Sequence, residues 1–263
     1  MKTIKLLFVY ALLSVFPLFS IASIEIEGSL RHIHKGMQGD VYKGEIKIHN
    51  SDKFEQEVKI YQTELLYNYK DFTFYDEPVT HNRSNANWIK YSPKTVIVKG
   101  EQTIYIQYEI SIPKGDTLKG TYWSVLMVEG VIPIDPHQPG ELNISTVTRY
   151  AVQLITEIAD KGVGKLKFLE PTLVTEGDKL FLAIDIENTG DHYIVPEVSI
   201  ELFDEEGQSV KVIKASKKGL FPTTSSRFRF NLEGIESEKT YKTVIVAAGS
   251  EEDVFGLEYT LYF

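Results

Sequence analysis

The amino-acid sequence predicts an all-β protein: a signal peptide followed by two immunoglobulin-like β-sandwich domains in tandem. Three observations carry this. First, one phrase occurs twice: an alternating strand stops at Asn, followed by Ser or Thr and then Asp or Gly. It closes the run from Val41 as Asn50-Ser51-Asp52 and the run from Lys179 as Asn188-Thr189-Gly190. These residues bond to their own backbone and tolerate turn geometry. Second, strand-length runs follow one another with turn signals between them, and no window holds helical periodicity with caps. Third, the two copies of the phrase lie far enough apart in 263 residues for each to have its own core.

In chain order, Ile24-Glu25-Ile26-Glu27 alternates, and Val41–Asn50 puts Tyr42, Gly44, Ile46 and Ile48 on one face. Glu57–Tyr69 is a long strand-like run, Thr95–Lys99 a short one ending at Gly100, and Thr103–Ile112 alternates through Ile104, Ile106, Tyr108 and Ile110. Tyr122–Val128 is apolar on both faces, as a central strand is. Thr146–Ile158 alternates, with Tyr150, Val152, Leu154 and Ile158 opposite Arg149, Gln153 and Glu157. Asp71–Asn87, with Pro78, His81, Asn82, Arg83 and Ser84, reads as a long loop. The second half supplies seven strands: Leu166–Val174, Lys179–Glu187, Glu197–Phe203, Val210–Lys214, Arg227–Leu232, Tyr241–Ala247 and Leu257–Phe263. Gly207 fits the positive-φ position of a hairpin turn at Glu205–Gln208. Ala159–Gly164, hydrophilic with two glycines, reads as the linker. The expected division is 1–22 signal peptide, 23–161 first domain and 162–263 second domain.

The export signal rests on a basic Met1–Lys5, an apolar Leu6–Ile21 interrupted by Ser14, Pro17 and Ser20, and small residues at Ser20 and Ala22. Cleavage is expected after Ala22. It removes Lys2 and Lys5 and no acid, so 26 basic residues face 37 acidic ones and the formal charge moves from −9 to −11. That balance argues against nucleic acid and anionic lipid as partners. No later stretch is long and apolar enough to span a bilayer. The absence of cysteine excludes thiol catalysis, cysteine-ligated metals and a lipoprotein anchor, and leaves packing alone to hold the domains.

A family resemblance rests on residues 40–158. Asn50 closes a strand, Ser92-Pro93-Lys94-Thr95-Val96-Ile97-Val98 joins a proline to an apolar strand, and Ile112-Pro113 precedes the Trp-bearing strand Leu118–Val128. Ile132-Pro133 and the loop to Asn143 precede the last strand. Together these resemble the N-terminal domain of PapD-like periplasmic pilus chaperones. The resemblance implies strand donation, with a pair of basic residues in the interdomain cleft holding the partner's terminal carboxylate, here matched to Arg31 and Arg149. The row Ile144, Thr146, Thr148 is less apolar than donation requires, which favours edge-strand binding of another kind. The two-domain order, with Ile186-Glu187-Asn188-Thr189, Leu220-Phe221-Pro222 and Phe255, Tyr259, Phe263, also resembles WxL-interacting surface proteins, which implies cell-wall binding.

No catalytic constellation is present. His32-x-His34 places two imidazoles on one face of a strand, but no third ligand is identifiable, so the pair reads as surface histidines and no metal or cofactor is expected. Asp191-His192 reads as turn chemistry, Ser124 as a small packing residue, and Trp123 and Trp88 as core. The predicted function is that of a non-enzymatic exported protein, periplasmic or at the cell surface. It binds another secreted or envelope protein, such as a fibre or surface subunit, in a chaperone-like or assembly-related role. The candidate contact residues are Arg31, Arg149, Tyr150, Val152 and Leu154. The alternative is a peptidoglycan-binding surface protein of the WxL-interacting type, which would use the Asp71–Asn87 loop and its rim of Phe72, Phe74, Tyr75 and Trp88.

Overall fold

The computed structural model describes residues 24–78, 81–115, 117–131, 147–158, 162–249 and 253–263. The expected signal peptide, the boundary at residue 161 and the proline-containing loop 132–143 lie outside them.

The first sandwich contains β1 (Ile24–Glu27), β2 (Arg31–Gly36), β3 (Val41–Asn50), β4 (Gln56–Tyr67), β5 (Thr73–Asp76), β6 (Ile89–Ser92), β7 (Thr95–Val98), β8 (Thr103–Ser111), β9 (Gly120–Val131) and β10 (Arg149–Ile158). One sheet runs β1-β3-β8-β6, and the other runs β2-β10-β9-β4-β5 with β7 also on β4. Ile46, Ile48, Ile106 and Ile110 of the first sheet meet Val58, Ile60, Leu126, Val128, Val152 and Leu154 of the second in one core. The amino-terminal strand is shared between the sheets. β1 pairs antiparallel with β3, and Gly28, at φ 105°, turns the chain so that β2 pairs parallel with β10 in the opposite sheet.

The second sandwich contains β11 (Leu166–Phe168), β12 (Thr172–Glu176), β13 (Lys179–Asn188), β14 (Glu197–Phe203), β15 (Ser209–Lys214), β16 (Ser225–Asn231), β17 (Thr240–Ala248) and β18 (Val254–Tyr262). β13 pairs with β16 on one edge and with β11 and β12 on the other, and faces a β15-β14-β17-β18 sheet. Leu182, Ile184, Phe228 and Phe230 pack against Val198, Ile200, Ile245 and Leu261. The carboxy-terminal alternation is thus the edge strand of a four-stranded sheet.

The repeated phrase has one physical basis in both places. Asn50 and Asn188 are fully buried. Asn50 Nδ2 donates to the carbonyls of Phe54 (2.8 Å) and Val98 (3.0 Å), and its Oδ1 accepts from Asp52 N–H. Asn188 Nδ2 donates to His192 O (2.7 Å) and Leu220 O (2.8 Å), and its Oδ1 accepts from Gly190 N–H. Each amide closes its own turn and ties down a neighbouring loop, which satisfies backbone groups that burial would otherwise leave unpaired.

Two readings are corrected. Leu166–Val174 is not one strand: Pro171 has no N–H for the ladder, and the chain breaks into β11 and β12 around it. The stretch read as a loop from Asp71 begins with β5, where Thr73-Phe74-Tyr75 pairs with Leu65–Tyr67 after a turn in which Asp71 takes φ 60°.

Candidate partner-binding site

The second sheet of the first sandwich presents its outward face to the second domain. Tyr61, Leu65, Trp123, Val125, Met127, Ala151 and Ile155 point that way, and Phe221 of the second domain is buried among them. Its ring stacks on Trp123 at 4.4 Å and lies 4.6 Å from Tyr193. Tyr67 Oη donates to Gly219 O (2.6 Å) and accepts from Phe221 N–H. Thr121 N–H donates to Asp191 O (2.7 Å), and Tyr193 N–H donates to Thr121 Oγ1 (2.8 Å). Asp191 also takes ion pairs from Arg83 and from Lys119 (3.0 Å). Burial alone would raise its carboxyl pKa. The Lys119 hydrogen bond and the nearby Arg83 and Lys119 charges outweigh that and hold it below the ordinary carboxylate value.

Residues 81–88 insert where β4 and β9 diverge. Ser84 bridges to Trp123, and His81 stacks on the other face of that indole at 4.3 Å. Glu64, fully buried on β4, accepts from Ser84 Oγ and pairs with His81 Nε2 at 2.9 Å. Asn85 Nδ2 donates to Leu154 O (3.0 Å). The later half of the predicted long loop is therefore a strut: it fixes Trp123 from one side while Phe221 fixes it from the other. Trp88 tilts against Tyr122 at 4.8 Å and packs on the first core, so it leaves the proposed rim. Phe72 and Phe74 remain exposed, stacked at 5.2 Å.

The five candidate contact residues separate into three kinds. Arg31 is exposed on β2; its Nε donates to Gln153 Oε1 (3.3 Å), and its guanidinium lies 5.2 Å from the centre of the Tyr193 ring, across the domain junction. Burial raises the Tyr193 phenol pKa, and the Arg31 charge only partly offsets this. Arg149 opens β10 and pairs through Nε with Glu129 Oε2 at 2.9 Å, its register partner on β9. Arg31 sits opposite Gln153, four residues beyond Arg149, or about 13 Å along the strand at roughly 3.3 Å per residue. Each is engaged separately, Arg31 by Gln153 and the Tyr193 ring and Arg149 by Glu129. Val152 and Leu154 are fully buried in the first core, and Tyr150 points to the same side and packs against it. The side chains of Val152 and Leu154 are therefore unavailable to a partner, which corrects their reading as contact residues. Their alternation is the signature of a core strand.

β10 does offer main chain. β2 covers one edge of it from Gln153 to Ile158, and β9 covers the other edge throughout. Gln153 N–H donates to Leu30 O, so the backbone groups of Gln153 face the β2 side, and those of Ala151 and Arg149 face the same way by the two-residue repeat. Among the described residues no strand pairs with β10 on that side over Arg149–Val152.

No family model and no curated protein matches the sequence. Solved structures do match in fold. A chain from a chaperone–tip adhesin complex of CFA/I fimbriae has 15% identity and a TM-score of 0.50, covering 91% of this chain and 98% of its own. The class 5 fimbriae chaperone CfaA (14% identity, TM-score 0.48) covers 90% and 98%. The CsuC–CsuE chaperone–subunit complex of Acinetobacter baumannii Csu pili (14%, 0.46) also covers 90% and 98%. The class is thus defined by architecture: two immunoglobulin-like sandwiches in tandem, a fold shared with the chain from the CFA/I chaperone–tip adhesin complex. The likeness is one of fold. Among the described residues no helix is long and apolar enough to cross a membrane.

Proposed function

We propose that the protein is a non-enzymatic, chaperone-like or assembly-related binding protein of the cell envelope that takes an extended segment of a β-rich partner onto the open edge of β10. One observation carries this: β2 stops short of Arg149–Val152, which among the described residues leaves edge-facing backbone groups of Arg149 and Ala151 without a neighbouring strand, on a strand whose other edge is locked by β9. Such an edge supplies main-chain affinity to an added strand. Arg149, exposed beside it, adds a charge to the rim.

Proline separates this from any role of the side chains. Ala151→Pro removes an N–H that faces the open edge and spares the ladder to β9. A photo-crosslinker at Val147 or Arg149 in the full chain, expressed in its own host, should capture a discrete secreted or envelope protein. The same group at Lys167 in the second sandwich should not. Adding Ala151→Pro should abolish the capture while circular dichroism shows the variant still folded. Capture unaffected by Ala151→Pro, or equal at Lys167, would refute the edge as the contact.

A further inference from the structure

The two histidines read as a surface pair are not on the surface side of β2. His32 and His34 point inward, half-buried, across the open side of the sandwich toward β8. Both reach one phenol. His32 Nδ1 lies 2.8 Å and His34 Nε2 3.0 Å from Tyr108 Oη. Tyr108 reaches them because its register partner on β3 is Gly44; a Cβ there would sit 2.3 Å from the Tyr108 hydroxyl. His32 Nε2 is 3.0 Å from Ser29 O, which only accepts, so Nε2 carries the proton and Nδ1 presents a lone pair. The phenol between them donates to His32 Nδ1 and accepts from His34 Nε2–H.

We infer that His32 Nδ1, His34 Nε2 and Tyr108 Oη form a binding site for a late first-row divalent metal ion, with Cu(II) bound most tightly. The two imidazole nitrogens lie 2.8 and 3.0 Å from the phenol oxygen, which is about the spacing of neighbouring ligands around an ion whose bonds to nitrogen and oxygen run about 2.0–2.2 Å. Imidazole nitrogen and phenolate oxygen suit copper, nickel and zinc, and copper heads the affinity order. The Ser29 carbonyl orients His32 as an outer-shell acceptor orients most metal-bound imidazoles. The concavity over the site is lined by Glu27 and Glu45 as well as Arg31 and Lys47, and water can complete the coordination. Among the described residues no three His, Cys, Asp or Glu side chains form such a group, so the site depends on the phenol as third donor. Binding moves the His34 proton from Nε2 to Nδ1 and releases the Tyr108 proton to solvent, one proton per ion.

The test is a Cu(II) titration of the untagged chain. The expected result is one saturable equivalent with a phenolate-to-copper absorption band. Tyr108→Phe should remove the band and weaken binding at least tenfold. His32→Gln and His34→Gln should each weaken it at least as much, which also separates the site from copper held by the chain's terminal amine. Unfolding midpoints without copper show whether each variant folds; should Tyr108→Phe not fold, His34→Gln carries the test. Absence of saturable binding, or binding and spectrum unchanged in the histidine variants, overturns the inference.

Discussion

Phe221→Ala is the sharpest test of how the two domains are held. Phe221 is 1% exposed, between Trp123 at 4.4 Å and Tyr193 at 4.6 Å, with Tyr67 edge-on at 6.3 Å. A phenylalanine buried this fully removes about 150–200 Å² of ring from water, worth about 4–5 kcal/mol at roughly 25 cal/mol per Å². Truncations of that kind cost about 3–5 kcal/mol once the cavity is included. The loss falls on the junction, because Phe221 touches the outward face of the first domain and not the core of the second. Both tryptophans, Trp88 and Trp123, belong to the first domain. In urea, tryptophan fluorescence therefore follows the first domain and far-ultraviolet circular dichroism follows both. The parent protein should show coincident transitions, and Phe221→Ala should shift the fluorescence midpoint down and separate the two curves. A fluorescence midpoint that stays in place, with only the dichroism shifted, would mean that Phe221 supports the second domain alone.

Three further outcomes are expected. Asn188→Ala removes the donor to His192 O and the turn bond to Gly190, while Leu220 O keeps the Ile194 N–H; it should lower stability by about 1–3 kcal/mol, and Asn50→Ala should do the same to the first domain; paired urea curves measure both. Asp191, whose pKa is depressed in the folded protein, contributes coupling that is complete above the ordinary carboxylate value of about 4 and fades as pH falls through the lower folded value. Domain transitions that coincide at neutral pH should separate in that acid range, and Asp191→Asn should separate them at neutral pH. Gly44→Val drives a branched side chain into the Tyr108 ring and should destabilise by about 1–3 kcal/mol, read as a lower urea midpoint.

The fold was legible where side chains answer to one nearby partner. Val41–Asn50 alternates because one face meets the opposite sheet, and both Asn–Ser/Thr turns announce their own local bonds. The site was less legible because its determinants are long-range. Tyr150, Val152 and Leu154 show the same alternation whether they contact a partner or fill a core, and only the packing of the opposite sheet against that face decides. His32 and His34 carried no third ligand in sequence because Tyr108 is 76 positions from His32. Arg83 and Asp191 lie 108 residues apart and meet only once both domains are in place. Pro171 was a visible break in a strand that should have been read as two.

The division of the amino-terminal strand between two sheets bears on how the first domain is made. β2 finds its partner 122 residues later in the chain, at Gln153, and joins it in parallel. Contacts of such sequence separation form late, because the loop between them must close before they reward it. A chain that is threaded through a membrane from its amino terminus therefore cannot finish this sheet until residue 158 has emerged. Until then β9 awaits β10 as its neighbour, and the domain stands as an incomplete sandwich. Slowing the supply of Arg149–Ile158, for instance by lengthening the segment before it, should prolong that vulnerable interval and raise degradation of the newly made chain without altering the stability of the finished one.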